Sequence, residues 1–378
     1  MESNKPHILI CIDWFFPGYK AGGPIRSIAH MTDQLPFRFS VITSIFDHNT
    51  SDPYPNIEMG KWHKHNKNTE VLYLHPTTVN LAMYKLQINK LNPDFIYCNS
   101  LFSPNFALTP IKAAKQLGLQ EKVVVAPRGM LKTGALKVKA GKKRGFLLLS
   151  RWLGWFKGIK WHATNEQEAS EIRKHYGSKS KIHVAPNLPA SLVGMVELPE
   201  RTDVLKLVTV ARVSKEKNIL GAAKILASQA GPIQWHIYGV LQDQVYFREV
   251  QNACSQKQDL NVTFHGDIPP TEINRALKHG HFFYLPTLGE NYGHAIVEAL
   301  VRGIPVMISN KTPWKNLSKY GCGWDLSLDE DWSNAIAKAR KMDDSTYFEL
   351  RQKALKYAKN QVHSSESVQS YRTIFAKQ

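Results

Sequence analysis

Apolar residues along the chain gather in short, nearly continuous runs. "HILICID" (7–13), "RFSVITS" (38–44), "VLYLH" (71–75), "FIYCN" (95–99), "VVVAP" (123–127) and "IKWHAT" (159–164) are separated by segments with helical spacing, such as Pro24–Leu35 and Leu108–Leu117. Strands that are apolar on both faces and alternate with helices predict a parallel sheet covered on both sides. A break follows at "APNLPASLVGMVELPERTD", which carries Pro186, Pro189 and Pro199 and reads as an interdomain linker. The same alternation then restarts, with helical patterns between "LKLVTVARV", "WHIYG", "NVTFHG", "FFYLP" and "PVMIS". The predicted architecture is α/β, two Rossmann-like, doubly wound parallel-sheet domains facing a cleft. The expected boundaries are residues 1–185 and 205–358, with the linker at 186–204 and a final helix at 359–378 crossing back to the first domain.

Composition agrees with two domains, because 378 residues with 43% apolar content exceed what one core usually organises. The four cysteines, Cys11, Cys98, Cys254 and Cys322, have no paired spacing, so neither a disulfide framework nor a zinc site is expected. "MESNKP" runs directly into the first strand without the features of a signal peptide, and no apolar run nears the length of a membrane span. A cytoplasmic protein is expected, with a peripheral position at the inner face of the membrane left open.

Charge divides unevenly. Residues 1–185 hold 26 Lys+Arg against 12 Asp+Glu, net +14, and the rest of the chain is net +4. Lys132 to Lys160 contains nine basic residues and no acid, interleaved with Phe146, Leu147, Leu148, Leu149, Trp152, Leu153, Trp155, Phe156 and Trp161. Two readings stand side by side: an interfacial helix lying on anionic lipid, or a solvated cationic face over a buried Leu/Trp stripe. Nucleic acid is not an expected partner, because no helix-turn-helix, zinc-finger or RNA-recognition pattern accompanies the charge.

In open parallel sheets ligands bind beyond the carboxyl ends of the strands, which makes the segments just after each strand the place to seek chemistry. After "HILICID" comes "WFFPGYKAGGPIRSIAH", where Gly22 and Gly23 allow close backbone approach and Pro24 opens a helix. Such a loop can cradle phosphate, or it can be a tight turn and nothing more. After "LKLVTV" comes "ARVSKEKN", whose Arg212 and Lys217 suit a diphosphate but equally suit open surface. After "FFYLP" comes "TLGENYGHAIVEALVRGIPVMIS", a helix beginning near Tyr292–His294 and stopping at Gly303. Glu290 lies ahead of that helix, where the helix dipole favours a carboxylate. Glu298 lies inside it, where the dipole offers no reason for one.

"GENYGHAIVEAL" resembles the Glu-x7-Glu signature of the retaining nucleotide-sugar glycosyltransferases of family 4, which have the GT-B architecture. The resemblance extends along the chain through "AGGP", "APRGML", "HATNEQEASEI", "APNLP", "VARVSKEKN" and "VTFHGDIPPTEI", and its "PRG" form is similar to a branch that builds cell-surface polysaccharides. It implies that Glu290 hydrogen-bonds the donor sugar, that Asn291, Tyr292 and Gly293 offer backbone amides to that sugar or its diphosphate, and that Glu298 holds the ribose. Arg212 and Lys217 would grip the diphosphate from the second domain, and Gly22 and Gly23 would close on it from the first, acceptor-binding, domain. Many members carry a histidine after the fourth or fifth strand of the first domain. Asn99 and Arg128 stand there instead, and Arg128 is expected to contact the leaving diphosphate or the acceptor.

The implied reaction moves a sugar from a nucleotide-diphosphate sugar to a saccharide acceptor, free or linked to polyprenyl diphosphate, with retention of anomeric configuration. No metal or other cofactor is expected, since Asp329 and Asp331, the one Asp-x-Asp pair, fall in a polar C-terminal segment away from any strand end. The alternatives are a nucleotide-sugar epimerase or hydrolase of the same architecture, and a non-catalytic nucleotide-sugar binding protein.

Overall fold

The computed structural model describes residues 5–137, 140–362 and 365–376. The chain divides into two compact units, Met1–Leu188 together with Ser365–Gln378, and Pro189–Ser364.

The first unit is built on an eight-stranded sheet of β1 (His7–Cys11), β2 (Arg38–Ser44), β3 (Trp62–Lys64), β4 (Thr69–Leu74), β5 (Phe95–Cys98), β6 (Val123–Val125), β7 (Lys160–Ala163) and β8 (Lys181–Val184). The strand order is β3-β4-β2-β1-β5-β6-β7-β8, parallel throughout except for β3, which runs antiparallel on the β4 edge. Alternation along β1 shows why its residues are apolar on both faces: Leu9 and Cys11 enter one core cluster, Ile8 and Ile10 the cluster on the opposite side. The helix Ser365–Ile374 and the residue after it supply Tyr371, Ile374 and Phe375 to the second of these clusters, and the Phe375 ring lies 5.4 Å from that of Phe95 and 5.8 Å from that of Phe37. Its ring is fully enclosed, and removing a ring so placed costs about 3–5 kcal/mol.

The second unit has a six-stranded, all-parallel sheet of β9 (Leu205–Val210), β10 (Ile233–Tyr238), β11 (Leu260–Phe264), β12 (Phe282–Leu285), β13 (Val306–Ser309) and β14 (Gly323–Leu326), in the order β11-β10-β9-β12-β13-β14. Strand order reverses direction between β9 and β12, the position at which doubly wound sheets open a crevice. The predicted linker is not a free tether at its middle: Val193, Gly194 and Val196 donate backbone hydrogen bonds to the carbonyls of Val301 and Arg302, so the segment lies along the second unit there.

Every strand expected from the sequence is present. The three unanticipated strands, β3, β8 and β14, are short edge strands of three or four residues with partly exposed faces. An edge strand is covered on fewer sides, so its sequence carries less apolar signal.

Candidate functional site

In the second unit, β9 and β12 are hydrogen-bonded neighbours, with Phe282 opposite Leu207 and Phe283 opposite Val208. Their parallel pairing brings the loops at their carboxyl ends, 211–218 and 286–293, together, and polar contacts join them. Leu288 N donates to Glu216 O at 3.1 Å, Thr287 Oγ1 to the same carbonyl at 3.2 Å, and Asn218 Nδ2 to Pro286 O at 2.8 Å. Asn218 holds φ 55°, a left-handed conformation that asparagine tolerates better than most residues.

Across this junction Lys217 Nζ lies 2.6 Å from Glu290 Oε1, with side-chain exposures of only 15% and 10%. The third neighbour, β13, secures the same loop. Glu290 N donates to Lys311 O at 3.0 Å, Ser309 Oγ to Thr287 O at 2.5 Å, and the Trp314 indole to Tyr292 O at 2.6 Å. Gly293 ends the loop with φ 80° and ψ 56° and begins the helix His294–Leu300. A β-carbon at Gly293 would stand 2.8 Å from Ile296 Cδ1, which would have to move aside, and the left-handed φ is what disfavours a side chain there. Glu298 is on that helix and is 5% exposed; its carbonyl accepts from Arg302 NH1 at 2.7 Å. Tyr292 is enclosed by His294 and Trp314, with ring centroids at 4.7 and 5.2 Å.

Arg212 is held differently from Lys217. Its guanidinium lies 3.5 Å from Glu216 Oε2 in an exposed pair, a geometry that fixes it weakly. Asp329 and Asp331 were expected away from any strand end, but they follow the carboxyl end of the unanticipated edge strand β14 by three and five residues, and Asp331 accepts from Ser333 N at 2.9 Å.

The first unit contains a second polar assembly. Gly22, at φ 71° and ψ −117°, starts the helix Gly23–Gln34, with Pro24 in its first turn. Asn99, after β5, is buried and sends Nδ2 towards Pro24 O at 3.5 Å. Arg128, after β6, holds φ 54° and directs Nε to Asn99 Oδ1 at 2.6 Å, NH2 to Tyr97 OH at 2.7 Å and NH1 to Asn187 Oδ1. Burial disfavours its charge, and Tyr97, Tyr371 and Glu168 outweigh that effect, leaving its pKa above the ordinary value. The expected partner of Arg128 was a phosphate or an acceptor. In the structure the guanidinium is engaged by side-chain oxygens from the end of β5, Tyr97 and Asn99, and from Asn187 after β8.

The neighbouring turn is equally fixed. Glu168, with no exposed surface, accepts from Gly129 N at 2.5 Å and from Thr164 N and Oγ1 at 2.7 Å each. His162 Nε2 donates to Ala185 O at 2.8 Å, which leaves Nδ1 to accept from Tyr97 OH at 2.7 Å. Burial first, and Arg128 second, lower the His162 pKa to about 3, consistent with that neutral tautomer. Thus "APRGML", "HATNEQE" and "APNLP", separate marks in the sequence, are parts of one hydrogen-bonded cluster.

Sequence reasoning passed over Tyr97, His162, Glu168 and Asn187, and also Asp13 at the end of β1. Asp13 Oδ1 accepts from Ser103 Oγ at 2.6 Å, and burial raises its pKa. Its position at a strand end, directly after an apolar run, was the available signal.

Comparison with known proteins follows this division. Residues 195–361 match the family model described as Glycosyl transferases group 1, so the second unit carries an enzyme domain of glycosyltransferase type. A 2-deoxystreptamine N-acetyl-D-glucosaminyltransferase from Niallia circulans is 26% identical over 114 residues, 30% of this chain and 29% of that protein; the match spans less than a third of that relative's length. Among solved structures, sucrose-phosphate synthase from Thermosynechococcus elongatus has a TM-score of 0.69 at 16% identity, covering 98% of this chain and 99% of its own. Anabaena HepE in complex with UDP and glucose has a TM-score of 0.68 at 16% identity, with coverage of 98% and 99%. WaaG, a glycosyltransferase involved in lipopolysaccharide biosynthesis, has 0.64 at 13% identity, with coverage of 98% and 100%. The chain has the GT-B fold.

Proposed function

We propose that the protein is a retaining hexosyltransferase that moves a sugar from a nucleotide-diphosphate sugar to a saccharide acceptor in cell-surface polysaccharide synthesis. The observation that carries this reading is the Lys217–Glu290 pair at the adjoining carboxyl ends of β9 and β12, inside the segment that matches the group 1 glycosyl transferases. UDP-sugars are the first donors to test, because HepE binds UDP and glucose.

In this reading Glu290 accepts from hydroxyls of the donor sugar, and Lys217 meets the diphosphate while orienting Glu290. Arg212 swings from its loose surface pair to the same diphosphate, and Glu298 takes the ribose hydroxyls. Asn291, Tyr292 and Gly293 offer backbone amides, and the Gly22–Gly23 turn of the first unit is the further phosphate contact. As the bond between the anomeric carbon and the phosphate oxygen breaks, the electron pair leaves with the diphosphate. The acceptor hydroxyl attacks the same face of the oxocarbenium-like sugar and gives its proton to the departing phosphate oxygen. Fixed cations aimed at that developing charge lower the barrier without a resident metal.

The acceptor is proposed to be lipid-linked and presented at a membrane. Support comes from the helix Ala140–Trp152, which buries Leu147 but leaves Leu148 73% and Trp152 82% exposed, with Leu149 and Leu153 also exposed. The reading of a buried Leu/Trp stripe therefore fails for these four residues. Among the described residues no helix is long and apolar enough to cross a membrane.

A panel of UDP-, GDP- and ADP-sugars, read by thermal shift and by slow donor hydrolysis, tests the assignment. One nucleotide sugar should stabilise the protein, and Glu290→Ala should abolish discrimination among sugars on the same nucleotide. If no nucleotide sugar stabilises it, the reading falls. If the product with donor alone is an epimer, the reaction is isomerisation instead.

A further inference from the structure

Beside the exposed apolar residues of the helix Ala140–Trp152, the first unit has an open pocket of about 550 Å³, formed by the end of that helix, the turn that follows it, and the loop after the helix Glu166–Tyr176. Its floor is aromatic: Trp161 and Tyr176 stack at 4.7 Å, and Phe156 meets them at 5.3 and 5.1 Å. Its lining includes Arg151, Lys157, Lys179 and Lys181 and no acidic residue. Lys181 is paired with Glu121 at 3.2 Å in an exposed bridge, whereas Arg151, Lys157 and Lys179 make no ion pair among the described residues. None of these residues belongs to the proposed transfer site.

Three exposed cations converging on one pocket repel one another, and an anion seated among them relieves that repulsion. Leu148, Leu149, Trp152 and Leu153, beside Arg151 in the chain, add exposed apolar surface that water covers at a cost. The ligand that satisfies both at once has a phosphate joined to hydrocarbon. We propose that this pocket seats the phosphate headgroup of an anionic membrane lipid, with the acyl chains lying along those four residues. The proposal rests on the membrane-facing reading above and deepens it: the protein would recognise a headgroup at a defined site, not merely a negative surface. By contrast Lys143, within the basic run, is turned inward, donating to Ala135 O at 2.6 Å and lying 5.5 Å from the Phe102 ring centre. Lys142 and Arg144 are exposed on the helix outside the pocket, which makes them controls of equal charge.

The test compares the full chain with the double variants K157A/K179A and K142A/R144A on vesicles of phosphatidylcholine with and without phosphatidylglycerol. It also titrates each protein with short-chain phosphatidylglycerol below its micelle threshold, and separately with inorganic phosphate, following tryptophan fluorescence. The pocket pair should weaken binding to anionic vesicles roughly tenfold more than the control pair, because diffuse attraction treats surface cations alike while a seated headgroup does not. The short-chain lipid should give a saturable change that K157A/K179A abolishes. Transfer to a soluble saccharide acceptor should be unchanged in both variants.

Equal losses in the two pairs, or no saturable response to the soluble lipid, would overturn the headgroup site while leaving a general membrane association standing. A response to inorganic phosphate as strong as that to the lipid would assign the pocket to a free anion and overturn the lipid component. If the wild-type protein ignored anionic vesicles at low salt, the membrane reading itself would fall.

Discussion

Lys217 and Glu290, separated by 73 positions in the chain, form a 2.6 Å ion pair that is nearly closed to solvent. The residues had been assigned by resemblance to different parts of one ligand, the lysine to diphosphate and the glutamate to sugar. Their direct contact changes what single substitutions should do. Lys217→Ala leaves a mostly buried carboxylate without its cation, and Glu290→Ala leaves the converse, so each should cost about 1–3 kcal/mol of stability. The double variant should cost less than the sum, by a coupling energy of about 1 kcal/mol or more, measured in a denaturation cycle. Turnover should fall about 10²–10³-fold in Lys217→Ala, the loss typical of removing one preorganised electrostatic contact. Additive stability effects would show that the pair is not coupled in solution.

Glu298 separates nucleotide from sugar recognition. If it holds the ribose, Glu298→Ala should weaken nucleotide diphosphate binding about 10- to 100-fold, the range for a hydrogen bond to a charged group. The loss should be the same for the free nucleotide and for every sugar attached to it. Calorimetry with the nucleotide alone and with the nucleotide sugar decides this, and a loss confined to the sugar-bearing ligand would move Glu298 to the sugar.

How much of this was legible in the sequence depends on whether a residue acts through its own segment or through distant ones. The apolar runs predicted every central strand because a buried parallel strand needs apolar residues on both faces, and Leu9 and Ile8 show both faces in use. Glu298 stood out because nothing local explains a carboxylate in an apolar helix. Arg128 was noticed as a departure from a family pattern, but its partners come from two other segments, Tyr97 and Asn99 from the end of β5 and Asn187 from the stretch after β8. No spacing along the chain announces such a convergence. The exposed Leu148 and Trp152 were ambiguous for a related reason: the same apolar spacing serves a core or an interface, and only packing distinguishes them.

The cluster around Arg128 predicts a structural phenotype distinct from a catalytic one. Glu168→Ala removes the acceptor of three donors, Gly129 N, Thr164 N and Thr164 Oγ1, and leaves them buried. A cost of about 2–4 kcal/mol is expected, with Arg128→Ala of similar size. Nucleotide affinity of the second unit should stay near wild type in both, read by calorimetry at a temperature where each remains folded. If Arg128→Ala instead kept full stability and lost turnover, its guanidinium would be contacting substrate.

Acid should destabilise the fold through its neutral histidines. Burial, followed by neighbouring cations, lowers His162 to about 3, and burial with the adjoining His279 and His265 lowers His236 to about 4. Burial with Arg201 nearby outweighs the bond to Pro199 O and lowers His281 to about 4. The unfolded chain titrates these groups near 6.5. Above that pH they are neutral in both states and contribute nothing to the pH dependence. Between about 6.5 and 4 the unfolded state binds protons that the folded state refuses, so stability rises with pH there and is lost on acidification. The melting temperature should therefore fall steadily across that window. Carboxylates can add a change of the same sign, and His236→Gln isolates the histidine component: at pH 5 it should reduce proton uptake on unfolding by roughly one. An unchanged uptake would mean that His236, stacked against His265 at 5.2 Å, already carries its proton in the folded protein.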